Sequence, residues 1–336
     1  MMVRMCFALM LTLAACHPPP ETPPDTAAAL SRHPDFWHVI DTSADGRPIY
    51  AHEHGTGDSA VLVLGSIHGD EAVTGQVVVR LAEWISSEGI TPIGRTLLFV
   101  PFLNPDGVAN HKRTNAHGVD INRNFPTRNW DPIPTQSHYP PGPAPASEPE
   151  TRLVLSLLAR FAPRLIISLH APLHVVNYDG PAQAIADRMG SWNGYRVSGS
   201  IGYATPGSLG TYAGVERHIP MITLELPPVG ADDAWLQNRN ALVDALLHGD
   251  SGKASGMIEG RVFTIGNEPM TRVGLESAPG DMFPLLAPAQ LDTVLRRNQG
   301  HRMRVFFEGI DPVPEGPALR AIRAEEVPLP ETPPQH

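Results

Sequence analysis

The sequence predicts an α/β protein, a sheet flanked by helices, followed by a small β-rich unit. Three observations lead there. Apolar runs of buried-strand type fall near residues 61–65, 96–102, 164–169 and 221–226, with helical periodicity near 71–87, 148–161, 181–190 and 232–247. Such alternation is what helices packed on a sheet produce. Beyond Gly249 the pattern changes to shorter strand-like runs. The chain has 336 residues, 42% hydrophobic and 18% charged, enough for one sizeable core plus an extra module.

The first element along the chain is an address. Met1 to Arg4 supplies one positive charge, and Cys6 to Leu13 is a short apolar segment, too short to span a bilayer. It ends in Leu13-Ala-Ala-Cys16, which resembles the lipobox of bacterial lipoproteins. That resemblance implies a signal peptide over residues 1–15 and acylation of Cys16, hence a membrane contact through a lipid anchor. A protein so processed sits in the bacterial cell envelope, facing the periplasm; His17 rather than Asp after the cysteine favours the outer membrane. Residues 16–32, rich in Pro, Glu, Asp and Thr, read as a semi-rigid tether. The only cysteines are Cys6 and Cys16, so the mature chain has neither disulfide nor thiol chemistry. The net charge of −10, without any Lys/Arg run, disfavours nucleic-acid binding.

Residues 34–55 read as a β-hairpin turning at Ala44-Asp-Gly-Arg. The strand Val61 to Leu64 then gives way to Gly65-Ser-Ile-His-Gly-Asp-Glu71 and a helix. His68 and Glu71 therefore lie in the turn at a strand's end, where open α/β sheets gather ligand-bearing loops. An imidazole and a carboxylate there can grip a divalent metal if a third ligand arrives, leaving a position for water. Pro163 to His170 is another buried-strand pattern ending on a histidine, and Met221-Ile-Thr-Leu-Glu225-Leu embeds a glutamate in an apolar run. Singly, His170 reads as a hydrogen-bonded core histidine and Glu225 as an edge residue. Together with His68 and Glu71 they read as a site, because a carboxylate in such a strand is costly without a partner.

Asn104-Pro-Asp-Gly107 is a turn after the strand Thr96 to Phe102, followed by Arg113 and by Gly118-Val-Asp-Ile-Asn-Arg-Asn-Phe125. With His68, Glu71, His170 and Glu225 in this order, the chain resembles the zinc carboxypeptidases of the metallocarboxypeptidase (M14) family. Asn-Arg-Asn-Phe-Pro, Ser147-Glu-Pro-Glu150, Gly202-Tyr-Ala-Thr-Pro-Gly-Ser208 and Glu225-Leu-Pro-Pro228 are similar to its bacterial murein peptide amidase A branch. The resemblance spans roughly residues 45 to 245. It implies a mixed central sheet flanked by helices, and a catalytic domain over residues 33–249. It implies one Zn2+ per chain held by His68, Glu71 and His170, with Glu225 as general base. It implies Arg113 at the oxyanion, Asn122 and Arg123 on the substrate's free carboxylate, and Tyr203 closing over the substrate. Tyr212 competes for that last role. His174 and the pair His52 and His54 have metal-like spacing but read as ordinary histidines.

The specificity pocket implied by the resemblance is set by residues near 208–215, with Leu209 and Gly210 at its floor. No acidic residue opens that segment, which argues against a strict preference for lysine or arginine side chains. The implied partner is a peptide with a free carboxylate, in the murein branch one such as L-Ala-γ-D-Glu-meso-diaminopimelate. Two rivals remain: a deacylase of N-acyl amino acids resembling succinylglutamate desuccinylase, and a non-catalytic envelope binding lipoprotein. Pro126 to Ser147 reads as a long substrate-facing loop. Residues 250–256 read as a linker, and 257–326 as three strands, a helix and two strands, the order of a small β-barrel-like (OB-like) domain. Residues 327–336 read as a disordered tail.

Overall fold

The computed structural model describes residues 30, 35–134, 136–248, 255–266, 271–279, 281–313 and 316–327. The expected signal peptide, the acyl site Cys16, all but Leu30 of the tether, most of the linker and all but Val327 of the tail lie outside the described residues. In chain order the first half comprises β1 (His38–Thr42), β2 (Pro48–His54), β3 (Thr56–Leu64), α1 (Ala72–Ser87), β4 (Thr91–Val100), α2 (Pro105–Asn110) and α3 (Pro149–Phe161). There follow β5 (Leu165–His170), β6 (Val175–Asp179), α4 (Gln183–Asn193), β7 (Arg196–Ser198), β8 (Met221–Glu225) and α5 (Ala231–Leu247). The last stretch holds β9 (Gly256–Ile265), β10 (Arg272–Ala278), β11 (Asp281–Leu286), α6 (Ala289–Arg297), β12 (Arg302–Val313) and β13 (Gly316–Glu326).

The central sheet is mixed, in the order β2–β4–β3–β5–β8–β6–β7, with β1 paired to β2. β4, β3, β5 and β8 run parallel, while β2 and β6 join antiparallel at either side. The central strands are continuous apolar runs because both faces are covered. Val61 and Val63 pack into one core with α1, α4 and α5, while Leu62 and Leu64, pointing the other way, pack into a second core that includes α3. Chain ends are fixed locally: Asn104 caps α2 by accepting from the Gly107 N–H at 2.8 Å, and Pro105 starts it.

β6, β7 and the helical turn Gly210–Val215 are elements the sequence pattern does not reveal. β7 has three residues and β6 only five, too few for a periodicity to declare itself. The β6 sequence Val-Val-Asn-Tyr-Asp also carries polar residues within the sheet, for a reason that emerges at the site.

Beyond α5 the strands hydrogen-bond in the order β9–β10–β11–β13–β12, with β12 returning to β9, a partial ring whose β11–β13 seam is short and parallel. It is stitched to the central sheet where Thr91 and Pro92 of β4 face Met257 and Gly256 of β9. Arg95 spans the same junction, donating to the carbonyls of Leu246 at 2.9 Å and His248 at 2.6 Å. Ile258, Phe283, Val305 and Phe307 enter the first core, so the apolar interior continues from the central sheet into the C-terminal strands.

The β1–β2 hairpin rests on a half-buried histidine. The His52 ring stacks on Phe36 with centroids 3.5 Å apart, and Nδ1–H donates to the Phe36 carbonyl at 2.8 Å. Burial lowers His52 from 6.5 to about 4. The unfolded chain therefore binds this proton at a higher pH than the folded one. Stability contributed by the neutral ring is present above 6.5 and lost as pH falls towards 4. We expect the urea midpoint of the wild-type protein to drop more between pH 7 and pH 5 than that of His52→Phe; equal drops would refute the assignment.

Candidate metal centre and active-site cleft

β3 ends at Leu64 and the chain turns through Gly65 to His68 before the 3-10 turn Gly69–Glu71 starts α1. Gly69 is obligatory there, because a Cβ would press into the backbone of Gly107. The two motif turns are thereby locked together. His170 is the last residue of β5 and sits opposite Glu225 of β8 in the parallel ladder. Its arrival completes the set. His68 Nδ1 lies 2.8 Å from Glu71 Oε1, and His170 Nδ1 lies 3.2 Å from His68 Nδ1 and 3.1 Å from Glu71 Oε2. All three are nearly shut off from water.

The outer nitrogens are occupied in turn. His170 Nε2 is 3.1 Å from Ser168 Oγ, and His68 Nε2 is 3.3 Å from Asp120 Oδ1, an ion-pair distance without hydrogen-bond alignment. Fixing the far side of each ring aims both Nδ1 atoms at one point, as outer partners of metal-binding histidines do. Asp120, the acidic residue inside Gly118-Val-Asp-Ile-Asn-Arg-Asn-Phe125, is completely buried. Its other oxygen accepts from Arg113 Nε at 2.8 Å. Burial opposes a charged imidazolium, but Glu71 and Asp120 outweigh it and raise His68 to about 9. Burial opposes both carboxylates too, yet His68 and His170 hold Glu71 well below the usual range, and His68 with the two arginines does the same for Asp120.

The donor set fits a zinc ion. The ligand atoms of His68, Glu71 and His170 lie within 4.8 Å of one another. Tetrahedral coordination at Zn–N distances of 2.0–2.1 Å would separate two nitrogens by about 3.3 Å, and the two Nδ1 atoms stand 3.2 Å apart. Two imidazoles and a carboxylate are also the ligand chemistry that zinc accepts while keeping an open position.

Glu225 stands beside this centre, 6% exposed, and among the described residues its carboxylate accepts one long hydrogen bond, at 3.4 Å from the Leu173 N–H. Burial raises its carboxyl above the usual value; His170 works against that rise. Across the cleft, Asn122 Oδ1 accepts from Leu209 N–H at 2.9 Å, and Arg123 Nη1 donates to its neighbour's carbonyl at 2.7 Å. Arg123 Nε is buried without a hydrogen-bond partner among the described residues. Phe125 N–H donates to the Gly207 carbonyl at 2.9 Å, so the Asn-Arg-Asn-Phe segment is docked on the Gly207–Ser208 turn. The Ser-Glu-Pro-Glu segment acts as a brace. Asn115 bridges Glu148 and Glu150, and Glu150 accepts from the Ala44 N–H of the hairpin turn.

The cleft is lined by His68, Glu71, His170, Glu225, Arg113, Asn122, Arg123 and Tyr203, which sequence reasoning singled out. Leu209 is different: it is 1% exposed and packs into the second core, while its neighbours Ser208 and Gly210 line the cleft. Tyr212 packs beside Phe125 under Arg217 and is not at the cleft. His52 and His54 bond to backbone carbonyls, and exposed His174 meets Tyr195 edge-on, so none joins the metal set.

Sequence reasoning missed Tyr139 and Asp179. Tyr139, from the long loop, lies with its ring centroid 4.8 Å from the guanidinium carbons of both Arg113 and Arg123, and Tyr203 stacks parallel to it at 6.3 Å. An aromatic residue in a loop carries no sequence signal of that contact. Asp179 is delivered to the cleft lining by β6, outside the segment 208–215, which contains no acid.

A family model described as zinc carboxypeptidase, peptidase M14, matches residues 26–186. Murein peptide amidase A of Vibrio campbellii is 32% identical over 203 residues, covering 57% of this chain and 79% of that protein. Its counterpart from Escherichia coli K12 is 34% identical over 188 residues, covering 52% and 73%. The crystal structure of murein-tripeptide amidase from Escherichia coli O157 superposes with a TM-score of 0.51 at 27% identity, over 60% of this chain and 87% of that one. Carboxypeptidase A of Helicoverpa armigera, at 18% identity and a TM-score of 0.54, shares the fold.

Replacing Asp120 by Asn keeps the shape behind His68 and removes the charge. We expect about 10- to 100-fold weaker zinc binding, measured by competition with a chromophoric chelator; unchanged affinity would show that Asp120 does not support the centre.

Proposed function

The chain belongs to the zinc carboxypeptidase (M14) family, near its murein peptide amidases, and on that premise we propose that it hydrolyses the amide bond next to a free terminal carboxylate. Its substrates in this reading are cell-wall (murein) peptides such as L-Ala-γ-D-Glu-meso-diaminopimelate. The observation that carries it is the meeting, on one cleft, of a metal-ligand set, a carboxylate of raised pKa and two arginines.

Arg123, buried with Nε uncommitted, and Asn122 beside it receive the substrate's terminal carboxylate, where a planar guanidinium grips both oxygens. This places the scissile amide between the arginine pair and Glu225. His68, Glu71 and His170 would hold a zinc ion, which when bound would supply a Lewis acid to polarise the carbonyl and acidify water. Glu225 takes the proton of the attacking water and hands it to the leaving nitrogen. Its raised pKa means that the basic form is lost at a higher pH than for an ordinary carboxylate, and that the protonated form is a ready donor. Arg113, held by Asp120, faces the charge that develops on the carbonyl oxygen. Tyr203 and Tyr139 form an aromatic cover over the arginines and limit water there.

Cys16 and the preceding apolar segment place the enzyme, in this reading, on a lipid anchor at the periplasmic face of the outer membrane. Cys16→Ser should move it from the membrane to the soluble periplasmic fraction; retention in the membrane would remove the anchor from the proposal.

Incubation with L-Ala-γ-D-Glu-meso-diaminopimelate should release free diaminopimelate, and a zinc chelator should abolish the release. Glu225→Gln should lower kcat by on the order of 10²- to 10⁴-fold while zinc content stays at one per chain. Cleavage of a succinylated amino acid but not of the tripeptide would shift the assignment to an N-acyl amino acid deacylase.

A further inference from the structure

Arg123 keeps its charge in the cleft without a carboxylate of its own. It is 3% exposed, and among the described residues no acidic side chain stands at ion-pair distance from it. Its Nη1 donates to the Asn122 carbonyl at 2.7 Å, and its Nε finds no hydrogen-bond partner among the described residues. Burial lowers the pKa of the guanidinium; Asp120 opposes that fall, and the neighbouring Arg113 adds to it. Arg113 is better supplied, with Asp120 Oδ2 at 2.8 Å from its Nε and Glu71 Oε1 at 3.7 Å from its Nη1. What meets both cations is one ring. The Tyr139 centroid lies 4.8 Å from the guanidinium carbon of each arginine.

That ring is fixed from behind. Tyr139 N–H donates to the Gln136 carbonyl at 3.0 Å, and the next carbonyl, of Pro140, accepts from the Asp120 N–H at 2.8 Å. Asn124 Nδ2 donates to the carbonyls of Pro141 at 2.8 Å and Ala144 at 3.0 Å. The end of the long loop is thereby stapled to the segment that carries Arg123. Tyr203 stacks on Tyr139, with the two planes 4° apart. An aromatic face attracts a cation, and does so more strongly where water is excluded. A carboxylate in the place of Tyr139 would hold Arg123 more tightly, but it would engage the same N–H fork that an incoming carboxylate needs. The ring holds the charge and leaves the fork unoccupied.

We propose that Tyr139 is a positioning residue, whose ring holds the Arg123 guanidinium in the cleft beside Arg113 and leaves its N–H groups to the carboxylate of the ligand. The inference rests on Asn122 and Arg123 as the carboxylate clamp, and it adds the part that keeps the clamp in place before a ligand arrives. Arg113 has Asp120 to hold it, so loss of the ring falls mainly on Arg123. A clamp that grips the substrate equally in the ground state and the transition state acts on KM rather than on kcat.

The test uses the zinc-loaded full-length protein and L-Ala-γ-D-Glu-meso-diaminopimelate. Tyr139→Leu and Tyr139→Ser both remove the ring, and retained zinc identifies a folded variant. Removal should raise KM about 5- to 30-fold and change kcat by less than about threefold. Tyr139→Phe, which keeps the ring, should recover most of that loss. Arg123→Gln has no cation to hold, so adding Tyr139→Leu to it should raise KM no further. A loss that falls on kcat, that Phe does not recover, or that adds in full to Arg123→Gln overturns the positioning role. The Nε–H resonances of Arg113 and Arg123, in protein with isotope-labelled arginine, report the ring without any substrate. Both should shift in Tyr139→Leu far more than in Tyr139→Phe, and resonances indifferent to the ring overturn the inference. If they respond while the tripeptide is neither bound nor cleaved, the carboxypeptidase reading fails and the hold of Tyr139 on the arginines does not.

Discussion

His68, Glu71, Asp120 and His170 are all withdrawn from water and are linked to one another by contacts at ion-pair distance. Removing one partner from such a set leaves an uncompensated charge worth about 3–5 kcal/mol, so each member has to be held where the others need it. The rest of the catalytic layer can be read as the means of holding them. Gly69 lets the His68–Glu71 turn lie against the turn at Gly107. The β5–β8 ladder sets His170 beside Glu225. The Ser-Glu-Pro-Glu segment and Asn115 brace the loop that carries Arg113 and Asp120.

The cleft is electrostatically lopsided, and the lopsidedness is informative. Its metal side is a closed network in which every charge has an opposite within hydrogen-bond or ion-pair reach. Its substrate side is open: Arg123 Nε, Glu225 and Asp179 lack strong partners. Paired groups build a rigid frame, while the groups without strong partners are left available to a ligand. The polar row Glu225–Thr223–Asn177–Asp179 also explains why β6 is not apolar throughout: one face of it is cleft wall.

The C-terminal strands are joined to this layer through structure remote from the cleft. β9 extends the sheet from β4, Arg95 ties the end of α5 to the same junction, and the first core runs through both parts. The physical continuity between the two parts is made by β4 and β9. Loss of these strands would expose the core residues packed against Ile258 and Phe307, together with the flank of the central sheet at Thr91 and Pro92.

Residues that act through local spacing were legible in the sequence. His68 and Glu71 share one turn, Arg113 to Phe125 form one segment, and His170 and Glu225 belong to apolar runs, so the strand pattern placed them at or near strand ends. The mixed α/β layer was legible for the same reason, because its central strands are buried on both faces. Tyr139, Asp179 and the exclusion of Leu209 from the cleft were not. Tyr139 reaches the arginines through a long loop whose path no periodicity describes, and Leu209 is turned inward by the helical turn Gly210–Val215 that follows it. Asp179 acquires its meaning only from the antiparallel pairing of β6 with β8. Pairing partners are set by long-range burial, which brings together residues whose separation in the chain encodes nothing about their distance.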